Sequence, residues 1–360
     1  MNFSITSNSQ IKIIFFHTGA SSFSNKDSQI FNSIGTLNEF CFSSSSKSMI
    51  PIVFIKQFWF LLTRLFSAKI YIAQFAGYHS FLPGIFAKLT GRPLLIISGG
   101  TDCVCFPAIR YGNFYKSGLG LFTKWSYQLA THLAPKHYSL YDYDFRYDSS
   151  IPLKQGIKNF VKGINKPVTV ITNGYDDTKF YRSSEKIKNS FITVSGSFEY
   201  PFQVALKGID LILQAAERFP ECSFTIVGVP EWKKLDVRSN NVTLLPPQKN
   251  TDLPALYSKH QFYLQLSMAE GFPNALCEAM LCECVPIVSN VFSMPEIIGN
   301  SGFVLEHRKI DELIPLLNKS INDLDLNNKS ILARNLISQN YPIKLREEKL
   351  TELINQLIAK

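Results

Sequence analysis

The stretch Glu270-Gly271-Phe272-Pro273-Asn274-Ala275-Leu276-Cys277-Glu278 follows an apolar run at 261–266 and opens a helical one at 274–281. It places two carboxylates, with seven residues between them, across a strand-to-helix turn. Glu270 falls in the loop and Glu278 about one turn inside the helix, so both reach the helix N-terminus, where backbone N–H groups lack partners. Such an end attracts phosphate. Gly271 lets the backbone approach a ligand closely, and Pro273 suits the first helical turn, where its missing N–H costs nothing. The spacing fits a solvated Glu pair on an amphipathic helix equally well, so by itself it leaves both readings open.

Outward from this turn, strand candidates at 191–195, 223–227, 242–244, 261–266 and 286–289 alternate with helix candidates at 209–219, 253–259 and 274–281. That alternation predicts a parallel sheet with crossover helices. The polar run 181–190 reads as an interdomain linker. Before it the pattern repeats, with strands expected at 11–16, 70–74, 94–98 and 168–172 and helices at 27–34, 52–66, 82–89 and 119–133. Asn173-Gly174 closes the last of these strands with a pair suited to positive φ. Helical spacing over 332–359, broken at Pro342, predicts a kinked terminal pair. Two Rossmann-like halves in series result.

A chain of 360 residues is long enough for two domains. Its net charge of +9 favours polyanionic partners, whether phosphorylated substrates, an anionic membrane face or nucleic acid. No nucleic-acid-binding motif accompanies the charge, which makes nucleic acid the weakest of the three. The seven cysteines include two Cys-x-Cys pairs, Cys103/Cys105 and Cys282/Cys284, without zinc-knuckle spacing, and are read as reduced thiols. No N-terminal signal is expected, because the apolar run 11–16 is too short and follows a polar stretch. No Gly-x-Gly-x-x-Gly follows the first strand, which argues against a nicotinamide oxidoreductase.

Continued through Ala279-Met280-Leu281-Cys282-Glu283-Cys284-Val285-Pro286-Ile287-Val288, the opening stretch resembles the Glu-x7-Glu signature of the group 1 family of retaining glycosyltransferases. Asn173-Gly174-Tyr175-Asp176-Asp177-Thr178-Lys179-Phe180 resembles the segment that ends that family's N-terminal domain. Gly196 to Asp210, with Lys207-Gly208-Ile209-Asp210, resembles its diphosphate-neutralising loop, and His17-Thr18-Gly19-Ala20-Ser21-Ser22 its first loop facing the same diphosphate. These matches span nearly the whole chain in order.

The resemblance implies an α/β fold of the GT-B kind, with two Rossmann-like domains facing each other across a cleft and a C-terminal helix returning to the first. The expected divisions are 1–182 on the acceptor side, 183–342 binding nucleotide sugar, and 343–360 as the crossing helix. It implies that Glu270, Gly271, Phe272 and Asn274 contact sugar and phosphate, that Glu278 binds ribose, and that Gly19, Gly196, Ser197 and Lys207 face the diphosphate. The implied reaction is transfer of a hexose from a nucleotide diphosphate sugar to a cell-envelope glycan or lipid-linked acceptor. Attack comes from the front face, retains configuration and needs no metal or other cofactor. The implied place is the cytoplasm or the inner face of its membrane.

The sequence also departs from the family. Ser197 stands where an Arg usually follows the glycine, leaving Arg110, Lys116 or Arg182 to replace it in space. In place of a usual His the loop after the third strand reads Ser98-Gly99-Gly100-Thr101-Asp102, so Asp102 becomes a candidate sugar or acceptor ligand at a strand end, with a helix N-cap as the alternative. His79 reads equally as a second acceptor candidate or as a structural loop histidine. The missing Arg keeps a non-enzymatic nucleotide-sugar- or glycan-binding protein as the alternative. Asp142-Tyr143-Asp144 fits the metal-binding pattern of the other glycosyltransferase fold, and is read as chance. The segment 50–66, apolar and aromatic but interrupted by Lys56 and Arg64, is too broken to cross a bilayer. It either packs on a sheet or, with Lys69, Lys88 and Arg92, meets an anionic membrane.

Overall fold

Apolar runs separated by helix-length segments favour parallel pairing, and the computed structural model of the chain contains two such sheets. It describes residues 11–359 apart from 20, 21, 197, 199, 200, 231 and 234. The first sheet holds β1 (Ile11–His17), β2 (Gly35–Cys41), β3 (Ile70–Gln74), β4 (Leu94–Ile97) and β5 (His132–Leu133) in the order β2-β1-β3-β4-β5. Its crossovers carry α1 (Ser22–Ile34), α2 (Ile50–Leu62), α3 (Tyr78–Thr90) and α4 (Ser117–Leu129). Every residue of β3 and β4 is buried, as expected of strands covered on both faces.

A short antiparallel pair, β6 (Tyr143–Asp144) and β7 (Lys154–Gln155), and the single turn α5 (Ile157–Phe160) lead to the second sheet. Its strands are β8 (Ile187–Val194), β9 (Ser223–Val227), β10 (Val242–Leu245), β11 (His260–Gln265), β12 (Val285–Ser289) and β13 (Phe303–Leu305), in the order β10-β9-β8-β11-β12-β13. Between them lie α6 (Phe202–Leu206), α7 (Ile209–Arg218), α8 (Leu253–Lys259), α9 (Asn274–Leu281) and α10 (Met294–Ile298). After them come α11 (Ile310–Ile321), α12 (Leu326–Asn340) and α13 (Ile343–Ile358).

The terminal pair breaks at Pro342 as the sequence suggests, and its two helices go different ways. α12 packs against α9 of the second domain. α13 lays Leu350, Leu353, Ile354 and Leu357 on Ile13, Phe15, Ile30 and Phe31 of the first. Arg346 of α13 is buried there in a two-pronged pair with Asp27, at 2.9 Å to each carboxylate oxygen, and donates to the carbonyls of Ile171 and Thr172.

Several local expectations shift for identifiable reasons. Residues 168–172 form only a bridge from Val168 to Leu133. β2, an edge strand with no buried residue, has neither an apolar run nor a regular alternation to announce it. The end of the expected linker, from Ile187, is already β8, and the expected helix 119–133 ends at Leu129 so that His132–Leu133 can pair with β4. α3 begins at Tyr78 and carries Pro83 in its interior. Proline there cannot bond the carbonyl of His79, and the side chain of Gln57 donates to that oxygen instead at 2.7 Å.

Candidate functional site

In the second sheet the order in which strands are added reverses between β8 and β11, and in the first between β1 and β3. Open α/β sheets bind ligands at such switch points, beyond the carboxyl ends of the strands. The loops after these strands contain Gly196, Glu270, Gly19 and Phe75, and they border a connected run of three cavities.

The first cavity, about 500 Å³, belongs to the second domain and is lined by Gly196, Lys207, Asn250, Glu270, Asn274 and Glu278, among others. The second, about 210 Å³, shares Lys207, Glu270, Pro273 and Asn274 with it, and adds Phe75, Gly99, Gly100, Thr101, Tyr111 and Lys136 from the first domain. The third, about 470 Å³, shares Phe75 and Thr101 with the second and runs to Thr18, His79 and Asp102. A ligand lying through all three would cross from one domain to the other.

Lys207 and Glu270 stand where the first two cavities meet, 2.6 Å apart. Burial lowers the affinity of Lys207 for its proton, but the charge and hydrogen bond of Glu270 outweigh burial and raise its pKa above the ordinary value. Glu270 is held from behind. Gln265 donates to it at 3.0 Å and to Ser267 at 2.8 Å, while Tyr263 donates to Gln265 at 3.0 Å. The Lys207-Gly208-Ile209-Asp210 run has a structural task at every position. Gly208 adopts φ +69° with a Cβ position only 2.3 Å from the Leu266 carbonyl, Ile209 is fully buried, and Asp210 pairs with Arg308 at 2.6 Å. Only glycine fits that second place.

Gly271 brings the backbones of the two domains together, since a Cβ there would stand 1.9 Å from the carbonyl oxygen of Gly99. Asn173 donates to the Phe272 carbonyl and to the Asn274 side chain, both at 3.0 Å, and Tyr175 donates to the same Asn274 oxygen at 3.0 Å. The Asn173-Gly174-Tyr175 segment therefore locks the start of α9 rather than merely ending a domain. Glu278, buried one turn into α9, has its pKa raised by burial, opposed by Lys26 of α1 and by a hydrogen bond from Asn250.

On the first-domain side the charged and polar groups are already engaged. The Asp102 carboxylate accepts from the backbone N–H groups of Ala76, Gly99 and Gly100 at 3.0–3.2 Å and from the Tyr127 hydroxyl at 2.7 Å. It clamps the loop after β3 to the loop after β4 and has little left to offer a sugar. His79 is buried and donates from Nε2 to the Gln74 carbonyl at 2.7 Å, with burial lowering its pKa, which leaves a neutral ring with Nδ1 as an acceptor. Gly19 borders the site through its loop, its carbonyl accepting from Ser24 at 3.1 Å. Ser197 lies outside the described residues.

Arg110, Lys116 and Arg182 line none of these cavities, and Arg182 is spent on Glu185 and Glu283. The further cation is Lys136, which sequence reading missed. It follows the two-residue strand β5, lies 5.6 Å from the Phe75 ring centre, and is 2% exposed on the wall of the second cavity. Its pKa is lowered to about 8, first by burial and then by Arg346, against the opposing pull of Asp27 and Asp102. Phe75 itself sits at φ +67°, a strained value for a bulky residue, between the second and third cavities. Asp142 pairs with Lys158 and Asp144 with Lys154, each at 2.6 Å, away from the cavities.

Comparison with known proteins bears on the fold and on the second domain. The family model for "Glycosyl transferases group 1" matches residues 183–335, which contain the Lys207, Glu270 and Glu278 constellation. The chain is 27% identical over 213 residues to the UDP-Gal:alpha-D-GlcNAc-diphosphoundecaprenol alpha-1,3-galactosyltransferase of Escherichia coli, covering 53% of this chain and 55% of that one. It is 35% identical over 72 residues to the O-antigen chain mannosyltransferase B of Escherichia coli, covering 20% of this chain and 19% of that one. The chain thus spans about half, or less, of the length of these relatives. Its fold superimposes on the sucrose-phosphate synthase of Thermosynechococcus elongatus with a TM-score of 0.73 at 12% identity, over 97% of this chain and all of that one. The chain has two parallel sheets of the GT-B kind and a returning C-terminal helix, and its second domain, which holds the paired carboxylates, carries the match to the group 1 glycosyl transferases.

Proposed function

We propose that the protein transfers a hexose from a nucleotide diphosphate sugar to a glycan or lipid-linked acceptor of the cell envelope, with retention of configuration. The observation that carries this reading is the Lys207–Glu270 pair at the junction of the first two cavities. The nucleoside occupies the 500 Å³ cavity with its ribose on Glu278, the hexose enters the smaller cavity, and the diphosphate lies between them beside Lys207 and the start of α9. An ammonium has three N–H donors and Glu270 takes one, so Lys207 can hold Glu270 and an anion together.

As the anomeric C–O bond breaks, its electron pair passes to the departing diphosphate and the sugar becomes oxocarbenium-like. Lys207, Lys136 and the α9 N-terminus meet the charge that grows on the leaving group. The acceptor hydroxyl reaches the anomeric carbon from the third cavity on the same face, and its proton goes to a departing phosphate oxygen. Asp102 and His79 serve this step by fixing the loops that shape the acceptor wall. The two Escherichia coli relatives, one named for a lipid diphosphate acceptor and one for an O-antigen chain, favour envelope glycans as products. A nucleotide sugar donor favours the cytoplasmic side.

The test is a panel of nucleotide sugars, screened first by thermal shift and then for transfer or hydrolysis. A ligand at about a hundred times its dissociation constant raises stability by roughly 2.7 kcal/mol, which is easily read. Stabilisation by a nucleotide sugar with turnover that survives a chelator is the expected result. Binding without any turnover would favour the non-enzymatic reading, and turnover lost to chelator and restored by manganese would overturn the metal-independent one.

A further inference from the structure

Between residues 40 and 141 the chain contains ten Lys and Arg and a single carboxylate, Asp102. This segment alone carries the whole net charge of +9, so the remainder is balanced. Asp102 is fully buried, and the segment therefore presents no acidic side chain to solvent. The same segment includes α2, α3 and α4.

α2 buries Val53, Gln57 and Leu61 against the first domain, yet its opposite face is apolar too. Ile55 is 58% exposed and Trp59 59%, and just beyond the helix Phe66 is 93% exposed. On α3, Leu89 is 78% exposed. Between the two helices runs an apolar groove of about 640 Å³ lined by Phe58, Leu62, Phe66, Leu82, Leu89 and Arg92, among others. Lys56 and Lys88, both exposed, stand next to Ile55 and Leu89. Contiguous exposed apolar surface edged by like charge marks a surface that meets something apolar and anionic. Both helices also open onto the third cavity, through Ile50, Tyr78 and His79.

We propose that the α2–α3 face of the first domain seats on an anionic phospholipid bilayer. Among the described residues no helix is long and apolar enough to cross a membrane. The geometry is that of surface attachment, with Ile55, Trp59, Phe66 and Leu89 entering the headgroup region and Lys56, Lys88 and Arg92 meeting lipid phosphates. Such seating brings the mouth of the acceptor-side cavity to the lipid surface. It does not depend on which sugar is transferred, or on transfer at all.

Cosedimentation of the full chain with vesicles tests this proposal. Vesicles of phosphatidylcholine with phosphatidylglycerol should bind the protein, those of phosphatidylcholine alone should bind it weakly, and salt should reduce the difference as the Debye length shrinks. The Ile55→Ser/Trp59→Ser variant and the Lys56→Glu/Lys88→Glu variant should each lose about tenfold or more in vesicle affinity. Both should keep the parent's unfolding midpoint to within a few degrees, which shows that the domains remain folded. Equal binding to both kinds of vesicle would overturn the anionic assignment. Full binding by the folded variants would overturn this face, and concentration-dependent self-association without vesicle binding would assign it to a second copy instead.

Discussion

The two walls of the interdomain cavities treat charge in opposite ways. On the second-domain wall Lys207 and Glu270 hold each other at 2.6 Å and face the cavity, and Glu278 sits within reach of a ligand beside Asn250. On the first-domain side Asp102 is saturated by backbone N–H groups and a tyrosine, and Asp27 is consumed by Arg346. One wall keeps bonding capacity for a ligand. The other spends its carboxylates on holding loops and a helix in place. A carboxylate found near a cavity is thus a ligand contact only if its oxygens are not already occupied.

The contrast predicts stability effects on one side and catalytic effects on the other. Arg346→Ala should destabilise the protein by about 3–5 kcal/mol in denaturant unfolding, because Asp27 is left as an uncompensated buried charge. Arg346→Lys should recover only part, since the two-pronged geometry is lost. An unchanged unfolding midpoint would break the contrast. Lys207→Ala should leave the midpoint nearly unchanged and lower kcat by about 10²–10³, with a smaller change in KM. Steady-state kinetics with a saturating donor checks it, and an unaltered kcat would move the diphosphate elsewhere.

Glu278→Ala should weaken binding of the free nucleoside diphosphate by about 1.5–3 kcal/mol, measured by calorimetry. Equal affinity of variant and parent would remove Glu278 from the binding wall. The smallest effect concerns Lys136, the cation of the first-domain wall that does face a cavity. Its ammonium loses its proton near pH 8 when folded but keeps it to about 10.5 when unfolded, so the unfolded chain binds more protons between those values. Its contribution to stability should therefore rise with pH through that window, and Lys136→Met should flatten the rise in unfolding midpoints taken from pH 7 to about pH 10. A profile identical to the parent's would mean that Lys136 titrates normally.

Legibility in the sequence follows the same division. The second-domain wall is built from Gly196 to Asp210 and from Glu270 to Glu278, short contiguous runs whose residue types announce their chemistry. The first-domain wall is assembled from single residues on separate loops, such as Phe75, Asp102 and Lys136, which no local pattern joins. Asp102 was identified by its place at a strand end, but only the fold reveals the donors that occupy it. Lys136 follows a strand of two residues, too short for periodicity to detect. The Pro83 break was answered by Gln57, distant in sequence, so α3 runs longer than its pattern suggests.

The returning helix bears on how the protein is made. Arg346 and Asp27 are 319 positions apart in the chain, and α13 covers the apolar face formed by Ile13, Phe15, Ile30 and Phe31. The ribosome therefore delivers the first domain's lid only after every strand of the second sheet. Until it emerges, that face and the carboxylate of Asp27 stay uncovered, while the second sheet already has all of its strands and can close. The half that is translated first is thus the half that matures second, and a chain stopped before α13 would expose a greasy, charged scar to whatever chaperones survey it.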